Sequence, residues 1–299
     1  MYMSIKEIIN AAIERKKPIY ELAIEQEIEV TKSTYDEVWK RMEKNLETME
    51  NAANRSIEGD GVFSPTGLTG GDAVKIKKYR EAGKTLSGDL MMHGVQNAVG
   101  TNEVNAAMGV ICATPTAGAS GTIPGVLFTI KDSLQLSRED QIHFLFTSAL
   151  FGMIVANNAC IAGALGGCQA EVGSASAMAA AAAVEAAGGT PEQSAHAFST
   201  ALQNLLGLVC DPVAGLVEIP CVKRNAVGTA NALVAADLAL AGVNNLIDAD
   251  EVVEAMYRVG RRMPRELRET GLGGVAATPT GVAIRNKIFG KNNNTVDQS

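Results

Sequence analysis

Three cysteines lie in short segments rich in glycine and proline, and they indicate the chemistry of this chain most clearly. They are Cys168 in GGCQAEVG, Cys210 in LVCDPVAG and Cys221 in EIPCVKRN. Glycine and proline favour bends, where neighbouring backbone N–H groups can donate hydrogen bonds to metal-bound sulfur. Because thiolates are ligands for iron, three of them suit an iron–sulfur cluster with one iron left open.

The spacing of these cysteines does not by itself identify a metal site. In the sequence, 41 residues separate Cys168 from Cys210, and 10 separate Cys210 from Cys221. Zinc sites and ferredoxin-like clusters usually have closely spaced pairs or runs, so structural cysteines without a ligand remain an open alternative. Cys112 and Cys160 lie in apolar runs, which favours buried small side chains without a ligand role.

Composition and charge restrict the class of protein. The 299 residues are 46% hydrophobic and 20% charged, with a net charge of −7, which is typical of a globular chain without a basic surface for nucleic acid or anionic lipid. The N-terminus lacks the apolar segment of a signal peptide, and 5 cysteines are an odd number for a disulfide framework. We therefore expect a cytoplasmic protein that binds neither nucleic acid nor membrane.

The hydrophobic pattern predicts a mainly α fold. Val/Ile-rich alternating strands are scarce, whereas alanine and glycine are abundant enough to let helices approach closely. We predict an N-terminal helical extension over residues 1–58, a single Ala/Gly-rich helical domain over 59–290 and a disordered tail over 291–299. The uncharged run 144–167 is interrupted by two asparagines, so it predicts a buried helix and not a bilayer span.

Local signals predict individual elements. The first fifty residues contain two amphipathic runs typical of peripheral helices, and the glycine-rich segment 59–88, with Lys75 and Lys77, indicates a loop that could bind an anion. SASAMAAAAAVEAAGG predicts an Ala-rich helix, followed by a helix that Thr190 caps. Two further helices are expected at about 225–242 and 248–262.

Polar residues in two loops are candidates for substrate binding. In ATPTAGASG the hydroxyl and amide groups could hold a carboxylate, although a helix N-terminus with threonine caps is the alternative; these residues are Thr114, Thr116, Ser120 and Gly121. SPTGLTGG offers a second such loop through Ser64 and Thr66. His93 is a weak candidate for a general base, since His143 and His196 lie in helical patterns that favour structural roles.

Several blocks together resemble a known family. GALGGCQAEVGSASAMAAAAAVEAAGGTPEQ and NLLGLVCDPVAGLVEIPCVKRNA are similar to the catalytic domain of iron–sulfur-dependent bacterial L-serine dehydratases, in particular the α chain of the two-subunit type. NEVNAAMGVICATPTAGASGTIPGVL and MPRELRETGLGGVA resemble the family as well. Asn105, Arg224 and Arg268 lie beside or within these blocks and are further candidates for substrate binding, with an ordinary surface position as the alternative for each.

This resemblance implies a helical catalytic domain with a [4Fe–4S] cluster on Cys168, Cys210 and Cys221. The open iron would act as a Lewis acid on the hydroxyl of L-serine, giving pyruvate and ammonia. Single-chain members carry a preceding domain and a C-terminal cysteine that this sequence does not show, so the resemblance implies a separate β chain. That partner is expected to supply the general base in preference to His93.

Two other function classes remain open at this point. A pyridoxal-phosphate amino acid dehydratase would need a Schiff-base lysine and an α/β sheet, for which the strand pattern is missing. A non-catalytic iron–sulfur or zinc scaffold subunit that organises a partner chain would also use the three cysteines.

Overall fold

The computed structural model describes residues 1–290, and their regular structure is almost entirely α-helical, which confirms the predicted mainly α class. No β-strand occurs in this range, so the α/β sheet required by a pyridoxal-phosphate dehydratase is not found there. The helices are α1 (Ile5–Arg15), α2 (Ile19–Thr31), α3 (Tyr35–Ser56), α4 (Asp72–Glu81), α5 (Asp89–Ala106), α6 (Thr122–Leu134), α7 (Arg138–Asn158), α8 (Gly163–Gly166), α9 (Ser174–Ala186), α10 (Pro191–Gln203), α11 (Cys221–Leu240), α12 (Ala249–Arg262) and α13 (Pro279–Phe289).

Helix α9 lies at the centre of the fold. Every residue from Ser174 to Val184 is buried, and most of them are alanine, so the neighbouring helices α6, α7, α10 and α11 can pack closely around it. This confirms the predicted Ala-rich helix. The predicted cap of α10 is also confirmed, since Thr190 and Gln193 form a reciprocal capping box with Pro191 at the first helical position.

Helix α4 corrects the prediction of a loop throughout residues 59–88. The buried carboxylate of Glu103, on α5, accepts hydrogen bonds from the backbone N–H groups of Asp72 (2.7 Å) and Ala73 (3.2 Å). These groups begin α4 and have no partner within their own helix. Lys75 forms an exposed ion pair of 2.7 Å with Asp72, and the expected anion binding by this segment remains a prediction. The sequence near α4 contains no sign of a cap that comes from α5.

Carboxylates from distant helices also cap the N-termini of the first two helices. Asp250, at the start of α12, accepts hydrogen bonds from the backbone N–H groups of Ile5 (2.8 Å) and Lys6 (3.0 Å). Glu185, on α9, accepts from the backbone N–H of Ile19 and from the Thr147 hydroxyl. Each carboxylate therefore satisfies a helix N-terminus that belongs to a distant part of the chain.

Helices α1–α3 are part of the main core and are not peripheral, contrary to the prediction from the sequence. Ile8, Leu22 and Leu46 are fully buried in the same hydrophobic cluster as the side chains of α7 and α9. The proposed boundary near residue 58 remains a prediction, and the predicted disordered tail 291–299 lies outside the described residues.

Helix α7 contains the first part of the uncharged run, and it is buried within the protein. Its first turn carries Arg138, Glu139 and Asp140, and most of its remaining residues are buried against other helices. None of the helices in residues 1–290 is both long and apolar enough to span a bilayer.

Helices α5 and α6 meet at a very close contact that determines where the 114–121 loop lies. A side-chain carbon on Gly121 would overlap the backbone carbonyl of Ala98, so only glycine fits where the loop enters α6. The loop therefore lies against the second half of α5, next to Asn102.

Removing the carboxylate of Glu185 should destabilise the protein. Glu185→Ala leaves a helix N-terminus and a buried hydroxyl without their acceptor, and we expect the free energy of unfolding to fall by about 1–3 kcal/mol. Urea denaturation followed by circular dichroism measures this loss. Glu254→Ala is the matched control, since Glu254 is an exposed helical residue paired with Arg258, and its loss should stay within about 0.5 kcal/mol. Equal losses in the two variants would contradict the role of Glu185 as a cap.

Glu185 should also contribute a pH dependence to stability. Burial raises the pKa of this carboxyl above its ordinary value of 4.5, although the hydrogen bonds from Thr147 and Ile19 oppose the shift. Between the unfolded and the folded pKa the native state binds more protons, so this contribution to stability declines as pH rises through that interval. Glu185→Gln removes the titration. The difference in unfolding free energy between wild type and Glu185→Gln should therefore vary across this interval, and a constant difference would contradict the shift.

Candidate functional site

Cys168 is held by a network centred on its neighbour Gln169. Gly167, immediately before the cysteine, has a positive φ of 78°, and a π-helical turn, Gln169–Gly173, follows it. The Gln169 amide donates to the carbonyls of Gly166 (2.9 Å) and Met256 (3.0 Å) and accepts from the N–H of Gly207 (2.9 Å). These hydrogen bonds fix the Cys168 segment against α12 and against the loop around Gly207, which leads to Cys210.

Cys210 is held by its own backbone. Its N–H donates to the carbonyl of Leu267 (2.8 Å), and its carbonyl accepts from the N–H of Glu269 (2.7 Å). Both partners flank Arg268 in the RELRET segment, which therefore lies beside Cys210. Two family-like blocks that are far apart in sequence are thus joined at this cysteine.

Cys221 is the first residue of α11, which begins four residues earlier than predicted. This corrects the expectation that all three cysteines lie in turns outside regular structure. Proline precedes the helix, so the thiol lies where the chain enters α11. Its carbonyl accepts a hydrogen bond of 3.0 Å from the side-chain amide of Asn225, one turn further along.

The three thiols are brought together in a buried site. Burial raises the pKa of Cys168 to about 11, although the nearby Arg224 guanidinium opposes this. Burial raises the pKa of Cys221 to about 12, and Cys168 adds to the effect. The pKa of Cys210 is also raised, first by burial and then by Cys168 and Cys221. Cys168 and Cys210 also belong to one buried cluster of side chains.

Three thiols from separate segments are a donor set of the kind that binds an iron–sulfur cluster. Within residues 1–290, no group of three or more histidine, cysteine, aspartate or glutamate side chains is arranged to hold one ion. In a cluster each thiolate binds a different iron, so the sulfur atoms do not need to converge on one point. Buried thiols with raised pKa values lose their protons when a cationic centre binds them, which compensates for burying their charge.

Arg224 is held by two contacts beside the thiols. Its guanidinium donates to the carbonyl of Val209 (2.7 Å) and pairs with the carboxylate of Asp211 (2.8 Å), and its charge opposes the rise in the pKa of Cys168. Asp211 in turn accepts from the N–H of Val275 (2.7 Å). Arg224 therefore contacts the segment on either side of Cys210.

Glu171 lies between the thiols and the 114–121 loop. Its carboxylate accepts a hydrogen bond of 2.6 Å from the hydroxyl of Thr116 and lies 3.8 Å from the sulfur of Cys210. A side-chain carbon on Gly163 would come within 2.9 Å of the same sulfur, so a larger residue there would displace the side chains of the site. Burial raises the pKa of Glu171, with the Thr116 hydroxyl opposing the shift.

Most of the other candidate polar groups of the ATPTAGASG loop form hydrogen bonds within the protein. Ser120 accepts a hydrogen bond from Asn102 (3.3 Å), and the N–H of Gly121 donates to Asn225 (3.0 Å). Thr114 differs, because its hydroxyl is buried and has no hydrogen-bond partner within the described residues.

Arg268 is the second candidate for substrate binding whose side chain has a hydrogen-bond donor without a partner in the described residues. Its Nε is buried without a hydrogen-bond partner in the range 1–290, and its neighbours bind the backbone of Cys210. Buried polar groups are normally paired, so an unpaired donor beside a candidate site is a position where a ligand group can bind.

The SPTGLTGG loop is tied to the segment that leads to Cys221. The hydroxyls of Thr66 and Thr69 donate to the two carboxylate oxygens of the buried Glu218, at 2.7 and 2.9 Å. The hydroxyl of Ser64 lies 3.0 Å from that of Thr66. Ser64 and Thr66 therefore serve this contact in the structure, three residues before Cys221.

The remaining candidates lie further from the thiols. His93 lines a cavity of about 470 Å³ between α3, α5 and α6, nine residues along α5 from Asn102, or about 13 Å along the helix axis. Burial lowers its pKa. Asn105 is half-buried in the last turn of α5. His143 stacks on Tyr20 with ring centroids 3.7 Å apart, and His196 lies on α10.

Cys112 and Cys160 are half-buried, whereas the sequence predicted that they are fully buried.

Sequence reasoning missed three residues that build the site: Gln169, Glu218 and Asn225. Their only signal was proximity to the cysteines in GGCQAEVG, EIPC and CVKRN, since hydrogen bonds to distant segments leave no local pattern.

Known proteins are similar to this chain over most of its length. Residues 14–276 match the family described as "Serine dehydratase alpha chain". The chain is 59% identical to the "Probable L-serine dehydratase, alpha chain" of Bacillus subtilis over 97% of its own length and 96% of that protein. It is 45% identical to the "L-serine dehydratase, alpha chain" of Peptoniphilus asaccharolyticus, over 95% of this chain and 97% of the relative.

Longer proteins are similar as well. The "L-serine dehydratase" of Streptomyces coelicolor is 37% identical over 81% of this chain and 53% of its own length. The match to the family spans the segments that carry all three buried cysteines and the loops around them. The chain belongs to the serine dehydratase alpha chain family.

Proposed function

We propose that this chain is the catalytic subunit of an L-serine ammonia-lyase, which converts L-serine to pyruvate and ammonia. The observation that carries the proposal is the assembly of Cys168, Cys210 and Cys221 in one buried site, within a chain whose relatives are named L-serine dehydratase. The proposal includes a [4Fe–4S] cluster bound by these thiols, a β chain as partner and a cytoplasmic location.

The three cysteines would hold the cluster from three separate segments. When bound, it would supply a Lewis-acidic iron that assists departure of the hydroxyl group from Cβ of serine. Arg224 would remain beside Cys168, where its charge offsets that of the thiolate. Because the cysteines are buried, the site restricts water around the reacting groups.

The substrate carboxylate would bind the unused donors of the site. The Nε of Arg268 and the hydroxyl of Thr114 are both buried without partners in the described residues, and both belong to segments that contact the thiol site. A charged donor to a carboxylate gives a strong, directional contact. This would fix the orientation of Cα and Cβ relative to the cluster.

The reaction requires removal of the α-proton as well as the hydroxyl. The β chain would contribute the general base, since His93 lies in the separate cavity of α3, α5 and α6. Loss of the proton and of hydroxide leaves aminoacrylate, which tautomerises to an imine. Water then hydrolyses the imine to pyruvate and ammonia.

Replacing one of the three cysteines should remove most of the bound iron while leaving the fold intact. After anaerobic reconstitution with iron and sulfide, we expect about four iron atoms per wild-type chain and a loss of most of the iron and visible absorption in Cys221→Ala. Cys160→Ala is the control, because Cys160 is half-buried outside the thiol trio and should leave the iron content unchanged. Wild-type iron content in Cys221→Ala would contradict the assignment.

Removing the Arg268 donor should weaken substrate binding. In the reconstituted complex with the β chain, Arg268→Gln should raise KM for L-serine about 10–100-fold, because a charge-assisted hydrogen bond to the carboxylate is lost. The effect on kcat should be smaller. Arg265→Gln, in an exposed position of the same segment, should leave both parameters unchanged. An unchanged KM in Arg268→Gln would remove this residue from the substrate site.

A further inference from the structure

Asn225 joins the helix that carries Cys221 to the loop that carries Thr114. Its Oδ1 accepts hydrogen bonds from the N–H of Gly121 (3.0 Å) and the hydroxyl of Thr122 (3.1 Å). Its Nδ2 donates to the carbonyls of Gly118 (2.8 Å) and Cys221 (3.0 Å). One side chain thus contacts the backbone on both sides of the site.

The hydrogen bonds of Asn225 use the full capacity of its amide. The group has two N–H donors and one oxygen with two lone pairs, and all of them are occupied. The side chain is completely buried, so water cannot replace a lost partner. The orientation of the amide is fixed as well, because the oxygen faces two donors and the nitrogen faces two carbonyls.

The loop that Asn225 holds lies directly against the reacting region. A side-chain carbon on Gly118 would lie 3.2 Å from the Glu171 carboxylate, whose other oxygen is 3.8 Å from the sulfur of Cys210. The Gly118 carbonyl also receives a hydrogen bond of 3.3 Å from Asn102, on α5. Two buried asparagines from different helices therefore fix the same loop carbonyl.

We propose that Asn225 is a positioning residue that sets the distance between the Cys221-held corner of the metal site and the substrate loop. The inference rests on the proposed function, in which the cluster acts on the hydroxyl of serine and the loop helps to bind its carboxylate. These two groups belong to one small molecule, so an error in their separation misplaces the substrate at the cluster. The contacts of Asn225 join the two segments directly.

Asn225→Asp is the most informative change, because it preserves the shape of the side chain. The carboxylate keeps an oxygen for Gly121 and Thr122 but places a second oxygen against the carbonyls of Gly118 and Cys221. The loop should move away from α11. Asn225→Ala provides a second variant that removes the contacts without introducing a charge.

Asn231 supplies a matched control on the same helix. Its Nδ2 donates to the Ser176 hydroxyl (2.9 Å) and the Ala201 carbonyl (2.8 Å), and its Oδ1 accepts from Asn204 (3.0 Å). These contacts hold α9 and α10 and do not touch the loop. Asn231→Asp therefore disturbs a partly buried network on the same helix with no direct effect on the substrate site.

The variants are compared in the reconstituted complex with the β chain, by iron content, thermal midpoint, the visible circular dichroism of the bound cluster, KM and kcat. We expect Asn225→Asp and Asn225→Ala to retain iron and to lower kcat/KM on the order of 100-fold, with a higher KM, as misplacement by about 1 Å would do. The visible dichroism should change in these variants. Asn231→Asp should lower the thermal midpoint without changing KM or the dichroism.

The outcomes separate this inference from the proposed function. Wild-type complex that binds iron without converting L-serine would overturn the proposed function, and the dichroism would still report whether Asn225 sets the geometry at Cys221. Active wild type with Asn225 variants that behave like Asn231→Asp in kcat/KM and dichroism would overturn the positioning role. So would a normal kcat/KM in Asn225→Ala alone, because the effect of Asn225→Asp would then come from its charge. If neither Asn225 variant folds, as judged by its thermal midpoint, the residue is a structural one and the inference fails.

Discussion

The organisation of this protein depends on hydrogen bonds that hold three buried cysteines in place from three separate segments. The Cys168 segment is fixed by the Gln169 amide, and Cys210 by backbone bonds to the RELRET segment. Cys221 is joined through Asn225 to the 114–121 loop. Burial makes unligated thiolates unfavourable here, as the raised pKa values indicate, and a thiolate-binding metal centre would compensate for that cost.

The surrounding helices provide the rigid frame that these bonds require. Helix α9 follows the π-helical turn after Cys168, and its small side chains let four other helices pack tightly around it. The carboxylates of Glu103, Glu185 and Asp250 cap helices from distant parts of the chain and thereby join the N-terminal region to this frame. The core and the site are consequently one continuous structure in the described residues.

Local sequence signals predicted the elements whose causes are local. Helix α9 and the capping box at Thr190 follow from alanine content and a three-residue pattern, and both are present. The early start of α11 did have a local signal, since Pro220 directly precedes Cys221. Helix α4 was missed because its cap comes from Glu103, which lies on another helix. A pattern within a short window cannot contain such information.

For the candidate site too, only the features with a local signal in the sequence could be predicted. The glycine- and proline-rich surroundings singled out the cysteines, and resemblance to a family gave them a common role. The contacts of Thr116 with Glu171 and of Thr66 with Glu218 could not be predicted, since each joins residues that are far apart in the sequence. These contacts also distinguish hydroxyls that serve the structure from the donors of Thr114 and Arg268, which have no partner within residues 1–290.

Mössbauer spectroscopy of the anaerobically reconstituted complex, prepared with isotopically enriched iron, tests the central claim most directly. The account predicts a spectrum typical of a [4Fe–4S] cluster in which the signal of one iron shifts when L-serine is added, while the three cysteine-bound irons keep theirs. A spectrum without cluster iron in a complex that still converts L-serine, or one in which serine changes no iron signal, would contradict it.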